Sequence, residues 1–295
     1  MSDYHVTPLV SKLPATVPFV GPETQERNQG YVFKARIGAN ENVFGPSPMA
    51  VQAMAKAALE SWMYGDPEFH DLRQDLAAHF KVVPENIMVG EGIDGMLGYV
   101  SRMFLEPGDL VVTSAGAYPT FNYHVNGYGG ELEFIPYRDD REDLEALLES
   151  AKVQKAKLLY VSNPDNPMGS WWDEQSVRSL MEKVPQGTLL ILDEAYGEFA
   201  PPGTLPPLDV TNTRVLRLRT FSKAYGLAGM RVGYAIGNAK LIREFNKVRN
   251  HFGVGRVAQA AARAALQDTK YLQKVLNQVG ESLEKIRGIA LENGL

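Results

Sequence analysis

Lys223 is placed where a side-chain amine could do chemistry. It follows a short apolar run, Val215–Leu218, that predicts a strand, and Gly226, Gly229 and Arg231 come shortly after it. A lysine at a strand end, among glycines that let the backbone approach a ligand, is a candidate amine for imine formation. A solvated surface lysine is the alternative, and for one lysine taken alone it is the more common case.

Asp193 closes a second apolar run, Thr188–Leu192, of the kind found inside a sheet. A carboxylate in such a place needs a cationic or donating partner. The protonated ring nitrogen of pyridoxal 5′-phosphate (PLP) is one such partner, and the ion pair keeps that ring an electron sink. Tyr196, three residues further on, is placed to donate to the ring hydroxyl. A helix-capping or turn carboxylate is the alternative for Asp193.

A glycine-rich turn, Gly90-Glu91-Gly92-Ile93-Asp94-Gly95, follows a predicted strand and opens a predicted helix. Free N–H groups and the positive end of a helix favour a phosphate. The same G-x-G-x-x-G pattern occurs in dinucleotide-binding folds, which also need an acid about 20 residues later, at the end of the next strand. That strand ends here in Thr113 and Ser114, so a single phosphate fits better than an NAD ribose.

Asn163–Gly169 follows a further predicted strand, Leu158–Val161. Two Asn-Pro steps and a glycine predict a rigid turn at the carboxyl end of that strand. Plain turn chemistry is the alternative to a ligand-binding role for this segment.

The elements that must position these residues alternate along the chain. The predicted strands are Asn86–Val89, Leu110–Thr113, Leu132–Pro136, Leu158–Val161, Thr188–Leu192, Val215–Leu218 and Val232–Ile236. Apolar residues at helical spacing lie between them and continue in a long helix from Tyr271 to about Glu292. The alternation predicts an α/β fold with a largely parallel central sheet flanked by helices, and such sheets bind ligands at the carboxyl ends of their strands.

Three regions are expected along the chain. Residues 1–45 are predicted to form an N-terminal arm, because they contain several prolines and little periodicity. Residues 46–268 form the large, cofactor-binding domain, which opens with Ser47-Pro48 as a helix cap and first helical residue. Residues 269–295 begin a small C-terminal domain that is incomplete.

Composition excludes several classes of function. The 295 residues contain no cysteine, so disulfides and thiolate metal sites are absent, and the net charge of −5 gives no general attraction to nucleic acid or anionic lipid. No signal peptide or membrane-length apolar run is present, so a cytoplasmic protein without nucleic-acid or membrane partners is expected. The five histidines show no metal-ligand spacing, and no metal is expected.

Taken together, the segments resemble the fold-type-I PLP enzymes. Among these they are most similar to the class I/II aminotransferases, and within that class to the histidinol-phosphate aminotransferases. The resemblance rests on the order of the motifs: the glycine-rich turn, Pro119-Thr120-Phe121, Asn166-Pro167-Met168-Gly169, Asp193-Glu194-Ala195-Tyr196, then Ser222-Lys223 with Arg231 eight residues beyond the lysine. These motifs extend over about two thirds of the chain.

The resemblance implies a role for each matching residue around the PLP ring. Lys223 is expected to hold the cofactor as an imine and to move the proton between Cα and C4′. Asp193 is expected to pair with the ring nitrogen, while Tyr196 and Asn166 bind the ring hydroxyl oxygen. Two further residues are expected against the faces of the ring, namely Phe121 on one side and Ala195 on the other.

The resemblance also implies how the phosphate is held. Gly92, Ile93 and Asp94 are expected to offer backbone groups, helped by the side chains of Ser222 and Arg231. Tyr64 resembles a tyrosine that reaches the phosphate of the neighbouring subunit, which implies a homodimer. Asn40-Glu41-Asn42 resembles the segment that lines the substrate pocket.

The implied activity is transamination between an amino acid or histidinol phosphate-like amine and a 2-oxo acid such as 2-oxoglutarate, in amino-acid, specifically histidine, biosynthesis. The family's small domain carries an arginine for the substrate carboxylate, and no segment after Tyr271 matches it. Three alternatives therefore stay open: an aromatic aminotransferase, a threonine-phosphate decarboxylase on the same fold, and a truncated chain that binds PLP with little activity. An NAD-dependent oxidoreductase is a more distant fourth.

Overall fold

The computed structural model describes residues 5–15 and 19–294. Its helices are α1 (Pro22–Gln29), α2 (Pro48–Ala58), α3 (His70–Phe80), α4 (Gly92–Phe104), α5 (Pro119–Gly127), α6 (Leu144–Val153), α7 (Glu174–Lys183), α8 (Ala239–Glu244), α9 (Arg256–Gln267) and α10 (Thr269–Glu292). Its strands are β1 (Ile87–Gly90), β2 (Leu110–Ser114), β3 (Glu131–Ile135), β4 (Leu158–Ser162), β5 (Leu189–Asp193), β6 (Val215–Thr220) and β7 (Gly233–Gly237).

The seven strands form one sheet in the order β1-β7-β6-β5-β4-β2-β3. Strands β2 to β6 pair in parallel, as predicted, whereas β7 runs antiparallel to both of its neighbours, β1 and β6. The connection from β6 to β7, residues 221–232, contains a short 3-10 turn at Ala228–Met230 and no crossover helix, and the chain reverses direction there. The prediction of a largely parallel α/β sheet is confirmed, with this one reversal.

Strand residues alternate between two faces of the sheet, and each face has its own core. On what we call the front face, α4 and α5 pack against Val111, Tyr160, Ile191 and Leu218. On the reverse face, α6 and α7 cover Val112, Leu159 and Leu190, while α3 and α9 cover β1 and β7. Continuous burial of β4, β5, β6 and β7 follows from coverage on both faces.

Local sequence signals account for several helix ends. Ser47 caps α2 by accepting a 3.0 Å hydrogen bond from the Ala50 N–H, with Pro48 at the first helical position as predicted. Asp173 caps α7 in the same way through the Ser176 N–H. The predicted cap at Ser47-Pro48 is thereby confirmed.

Three parts of the structure differ from what the sequence indicates. The arm is not simply extended, because Pro22 and Gly30 bound an exposed two-turn helix, α1. The helical spacing of Leu241, Ile242, Phe245 and Val248 predicts a single helix, but that helix ends at Glu244 and continues as a 3-10 turn at Phe245–Lys247. Helix α9 was not predicted, because its buried face is made mostly of alanine, which gives a weak apolar signal. The arm's residues 1–4 and 16–18, and Leu295, lie outside the described residues.

Helix α10 ends at Glu292 as predicted, begins at Thr269 rather than Tyr271, and is mostly exposed. Val275 is its one buried residue, and Ile286 and Ile289 are 62% and 61% exposed. No structural observation tests the division into an arm, a large domain and an incomplete small domain, so that division remains a prediction.

Candidate active site

Lys223 lies just beyond the carboxyl end of β6, where the predicted strand end placed it. Its Nζ donates to the carbonyl oxygens of Ala39 at 3.3 Å and Asn40 at 3.5 Å, and lies 5.6 Å from the centre of the Tyr196 ring. Burial lowers the pKa of this amine, and the nearby Arg231 lowers it further. The neutral amine, which is the nucleophilic form, is therefore more accessible than in an exposed lysine.

Asp193 ends β5 one strand away and is 4% exposed. Its Oδ2 accepts a 2.8 Å hydrogen bond from the Tyr160 hydroxyl, and its Oδ1 accepts from the Ala195 N–H at 2.9 Å. Burial outweighs these donors and raises the pKa of Asp193 to about 6. A cationic ligand group at this carboxylate would relieve the cost of burying its charge.

Tyr196 is half-buried near Lys223, and its hydroxyl accepts a 2.9 Å hydrogen bond from the Asn40 amide. Because that lone pair is occupied, the phenol proton is free to be donated to a ligand. Burial raises the pKa of Tyr196, which keeps the phenol protonated. Asn42 donates to the Ala224 carbonyl at 3.0 Å, so the Asn40-Glu41-Asn42 segment is fastened over the lysine loop.

The glycine-rich turn and Arg231 lie against each other, and we call this arrangement the cradle. The Arg231 Nη1 donates to the Ser222 hydroxyl at 3.3 Å and its Nη2 to the Glu91 carbonyl at 3.5 Å. Gly92 has a φ of +78°, and a Cβ there would lie 2.5 Å from the Arg231 Nη2. Gly92 is also the first residue of α4, whose free N–H groups favour an anion.

The next two residues of the turn differ in their surroundings. Ile93 is 7% exposed and packs into the front-face core, so only its backbone faces the turn. The Asp94 carboxylate lies 3.0 Å from the Nε2 of His124 on α5, a contact that the sequence did not suggest. Both residues belong to the first turn of α4, where their N–H groups have no intrahelical partner.

The Asn163–Gly169 loop begins beside Asp193, because the Asn163 N–H donates to the Asp193 carbonyl at 2.8 Å. Asp165 anchors the loop by accepting from the Tyr137 hydroxyl at 3.0 Å and the Met168 N–H at 3.2 Å. Both Asn-Pro bonds of the loop are cis. Asn166 is half-buried at the tip of this anchored segment.

The faces expected to sandwich a ring differ from each other in the structure. Ala195 is half-buried beside Asp193. Phe121 has no exposed surface, since its ring stacks on Tyr160 with centroids 4.8 Å apart, and it offers no free face in this conformation. Tyr118, which the sequence did not single out, is half-buried within the field of Asp94, Asp193 and Arg231, and burial raises the pKa of its phenol.

Tyr64 lies outside this group of residues. Its side chain is 78% exposed and packs on Phe252 with ring centroids 4.7 Å apart. Its backbone carbonyl accepts a 3.0 Å hydrogen bond from Arg256. An exposed tyrosine on this surface fits the expectation that it acts across a subunit boundary, which a single chain does not test.

Behind the site, the reverse face holds a buried ionic cluster. Glu194, next to Asp193 but on the other side of the sheet, accepts from the Arg217 Nε at 2.9 Å and Nη2 at 2.5 Å. Arg219 pairs with Glu198 at 3.0 Å. The cluster ties the segment that carries Tyr196 to β6, the strand that leads to Lys223.

A cavity of about 670 Å³ lies elsewhere, beside β1 and α8. Its walls mix cations such as Arg73 and Arg249 with Glu68, Glu85 and Glu244, and none of the residues around Lys223 lines it. Among residues 5–15 and 19–294 no helix is long and apolar enough to cross a membrane. The same residues contain no cluster of side chains suited to a metal ion.

The donor set fits PLP on several structural grounds. Four groups lie where β5, β6 and the β1–α4 turn meet. They are the half-buried Lys223 amine, the buried Asp193 carboxylate with its raised pKa, the Tyr196 phenol, and Gly92 beside Arg231. The glycine cradle is one that a Cβ would fill. Together with the mostly parallel, two-faced sheet, this site defines a fold-type-I PLP-dependent aminotransferase, and the fold prediction is confirmed.

Comparison with known proteins gives the family. The profile described as aminotransferase class I and II matches residues 34–289, and the chain belongs to that family. It is 36% identical over 277 residues to the histidinol-phosphate aminotransferase of Bacillus cytotoxicus, covering 92% of this chain and 74% of that one. The enzyme of the same description from a Geobacillus species is 36% identical over 286 residues, covering 96% and 78%.

A solved structure extends the comparison to the fold. The histidinol-phosphate aminotransferase of Sinorhizobium meliloti, crystallised in complex with pyridoxal-5′-phosphate, is 51% identical, with a TM-score of 0.97. The match covers all of this chain and 79% of that one. The resemblance stated from the motifs is thereby confirmed at the level of the family, the fold and the cofactor.

Proposed function

We propose that this chain transaminates histidinol phosphate or a closely similar amine with a 2-oxo acid such as 2-oxoglutarate, as a cytoplasmic homodimer. The observation that carries the proposal is the meeting of Lys223, Asp193 and the Gly92–Arg231 cradle in a chain 51% identical to the Sinorhizobium meliloti enzyme. The substrate is inferred from the names of those relatives, and the dimer from the resemblance at Tyr64 and the exposed surface around it.

Each residue is assigned one task. Lys223 would hold the cofactor covalently through Nζ and, once displaced by the amino substrate, would take the proton from the substrate Cα and return it at C4′. Its lowered pKa, caused by burial and Arg231, supports both tasks. Asp193 would hold the ring nitrogen in its protonated form. When bound, PLP supplies the electron sink that stabilises negative charge at Cα.

The remaining residues position the cofactor. The Tyr196 hydroxyl, with its lone pair taken by Asn40, would donate to the ring hydroxyl oxygen together with the amide of Asn166. Ser222, Arg231 and the N–H groups of the Gly92–Asp94 turn would bind the phosphate. The Asn40 carbonyl, held near the lysine amine, closes the site from the side of the arm.

The homodimer is supported by an exposed apolar surface around Tyr64. Leu59, Trp62 and Tyr64 are 82%, 81% and 78% exposed, and Phe252 lies against Tyr64. Several large apolar residues exposed within one short segment favour an interaction surface. Light scattering on the purified protein would test the dimer directly: a monomer mass would contradict it.

The first experiment concerns the cofactor and its anchor. Purified protein incubated with PLP is expected to develop the visible absorption of the lysine-bound cofactor, and borohydride reduction should fix the added mass on Lys223. The Lys223→Ala variant should show neither, with activity lower by about 10²- to 10⁴-fold or more. Labelling of a different lysine would contradict the assignment.

The second experiment concerns the reaction. Glutamate added to the loaded protein is expected to remove the visible absorption, and 2-oxoglutarate to restore it. Histidinol phosphate should be the better amino donor than phenylalanine in the coupled half-reaction. Release of carbon dioxide from threonine phosphate, or a preference for phenylalanine, would support the decarboxylase or the aromatic aminotransferase instead.

A further inference from the structure

Glu91 lies in the turn between β1 and α4, and its side chain points away from the phosphate cradle. Both carboxylate oxygens accept from the Tyr99 hydroxyl, each at 2.9 Å. Burial raises the pKa of Tyr99 to about 12, so the phenol stays a donor. The Glu91 carbonyl, in contrast, faces Arg231. One residue therefore contacts the cradle with its backbone and a different part of the molecule with its side chain.

That other part is the loop at residues 250–255. The Asn250 N–H donates to the Tyr99 hydroxyl at 2.9 Å. A Cβ on Gly253 would lie 1.7 Å from the Glu91 Oε1 and 2.2 Å from its Cδ, so no side chain fits there while Glu91 keeps its position. The Glu91 carboxylate is thus enclosed between Tyr99 and the loop backbone.

The same loop fixes the segment that carries Tyr64. The Phe252 ring packs on the Tyr64 ring. A Cβ on Gly65 would lie 3.0 Å from the Arg256 nitrogen and 3.3 Å from the Val254 carbonyl oxygen, so the two backbones are in close contact. A movement of the 250–255 loop is therefore expected to displace Tyr64.

We propose that Glu91 is a positioning residue that couples two cofactor sites. It would hold in place the turn that binds the phosphate in its own subunit. Through Gly253 and Phe252 it would also position Tyr64, which contributes to the cofactor site of the neighbouring subunit. The inference rests on the proposed function, since it requires PLP and a dimer. As a consequence, a change in the conformation of the phosphate-binding turn in one subunit is expected to change the position of Tyr64 in the cofactor site of the other subunit.

Gly253→Ala is the direct test, because the added methyl displaces the Glu91 carboxylate. PLP titrated into the PLP-free protein should bind about 5-fold or more weakly. Amide hydrogen exchange at residues 64–66 should become faster. Gly255→Ala is the matched control in the same loop, since a Cβ there meets nothing within 4 Å. Tyr99→Phe removes only a hydroxyl, should act in the same direction, and covers the case in which Gly253→Ala does not fold.

Hybrid dimers separate the two halves of the coupling. Each hybrid pairs a Lys223→Ala subunit with a subunit that can hold the cofactor covalently. In one hybrid, Gly253→Ala is placed in the subunit that retains Lys223, where it disturbs that subunit's own phosphate turn. In the other hybrid it is placed in the Lys223→Ala subunit, where it disturbs the Tyr64 that this subunit contributes to its partner's site.

Weakened PLP binding in both hybrids is the expected result. Weakening in only one hybrid, or in neither, would overturn the coupling and leave Glu91 a local structural residue. If the wild-type protein forms no covalent PLP complex or no dimer, the proposed function itself has failed, so the two failures are distinguishable.

Discussion

The Tyr160 hydroxyl donates a 2.8 Å hydrogen bond to the Oδ2 of Asp193 from the neighbouring strand. Phe121 stacks on the other side of that tyrosine, so the phenol is held in one orientation. Asp193 therefore enters the site with one oxygen bound by Tyr160 and the other by the Ala195 N–H, and with a pKa raised by burial to about 6.

PLP binding should depend on the charge of Asp193. The raised pKa means that the PLP-free protein keeps the proton on Asp193 until the pH exceeds about 6. An ionised carboxylate is needed to pair with the ring nitrogen, so PLP affinity should fall as the pH is lowered through about 6. Titrations of PLP between acid and neutral pH would measure this.

The control for that profile is Asp193→Asn. The phosphate of the cofactor also titrates near pH 6, and the variant retains that contribution while losing the carboxylate. The difference between the two profiles belongs to Asp193. Identical profiles would show that Asp193 does not govern binding.

Tyr160→Phe should move the pH profile upward. The phenol favours the ionised carboxylate, so its removal raises the pKa of Asp193 further. A hydrogen bond to a charged group is worth about 1.5–3 kcal/mol, which corresponds to a midpoint higher by about one to two pH units. Tyr234→Phe is the control: this buried hydroxyl on the reverse face has no hydrogen-bond partner among the described residues and should leave the midpoint unchanged.

Gly92→Ala should weaken PLP binding by about 10- to 100-fold, the worth of one charge-assisted hydrogen bond. Its Cβ would displace the Arg231 guanidinium, and its φ of +78° is unfavourable for alanine. Gly187→Ala is the control for backbone strain. Gly187 also has a positive φ, +89°, but a Cβ there has no neighbour within 4 Å, so this variant adds strain without displacing a side chain. It should lower stability and leave PLP affinity unchanged; equal affinity losses in both variants would contradict the cradle.

Glu194→Ala should lower the free energy of unfolding by about 3–5 kcal/mol, because it leaves buried Arg217 without its carboxylate partner. Denaturant unfolding of the PLP-free protein measures this without the stabilisation that a bound ligand adds. Glu174→Ala, which removes the exposed pair with Arg178, should cost less than about 0.5 kcal/mol. A similar small loss for Glu194 would mean that the buried cluster contributes little.

The sequence predicted much of the fold because the signals for it are local. Apolar runs ending in Asp193, before Lys223 and before Asn163 mark strand ends, and parallel strands bring such ends to one edge of a sheet. Caps such as Ser47 are read from adjacent residues. Each of these inferences needs only a few residues of context.

What the sequence missed depends on contacts between distant segments. The bond from Tyr160 to Asp193 needs the β4–β5 register, although a hydroxyl inside a wholly buried strand could have indicated a polar partner. The buried surroundings of Phe121 and the placement of Tyr118 depend on the packing of α5. The direction of β7 depends on a connection that forms no crossover helix, and α9 depends on alanines that pack closely against α2.

The contact between Glu91 and Gly253 also constrains how the chain can change over evolutionary time. Gly253 has an ordinary backbone conformation, so its lack of a side chain is required by the Glu91 carboxylate rather than by its own dihedral angles. A larger residue at position 253 requires either that the Glu91 carboxylate moves or that position 91 becomes smaller. The two positions are therefore expected to covary among relatives, because a side chain at position 253 is accommodated with less displacement once position 91 is smaller.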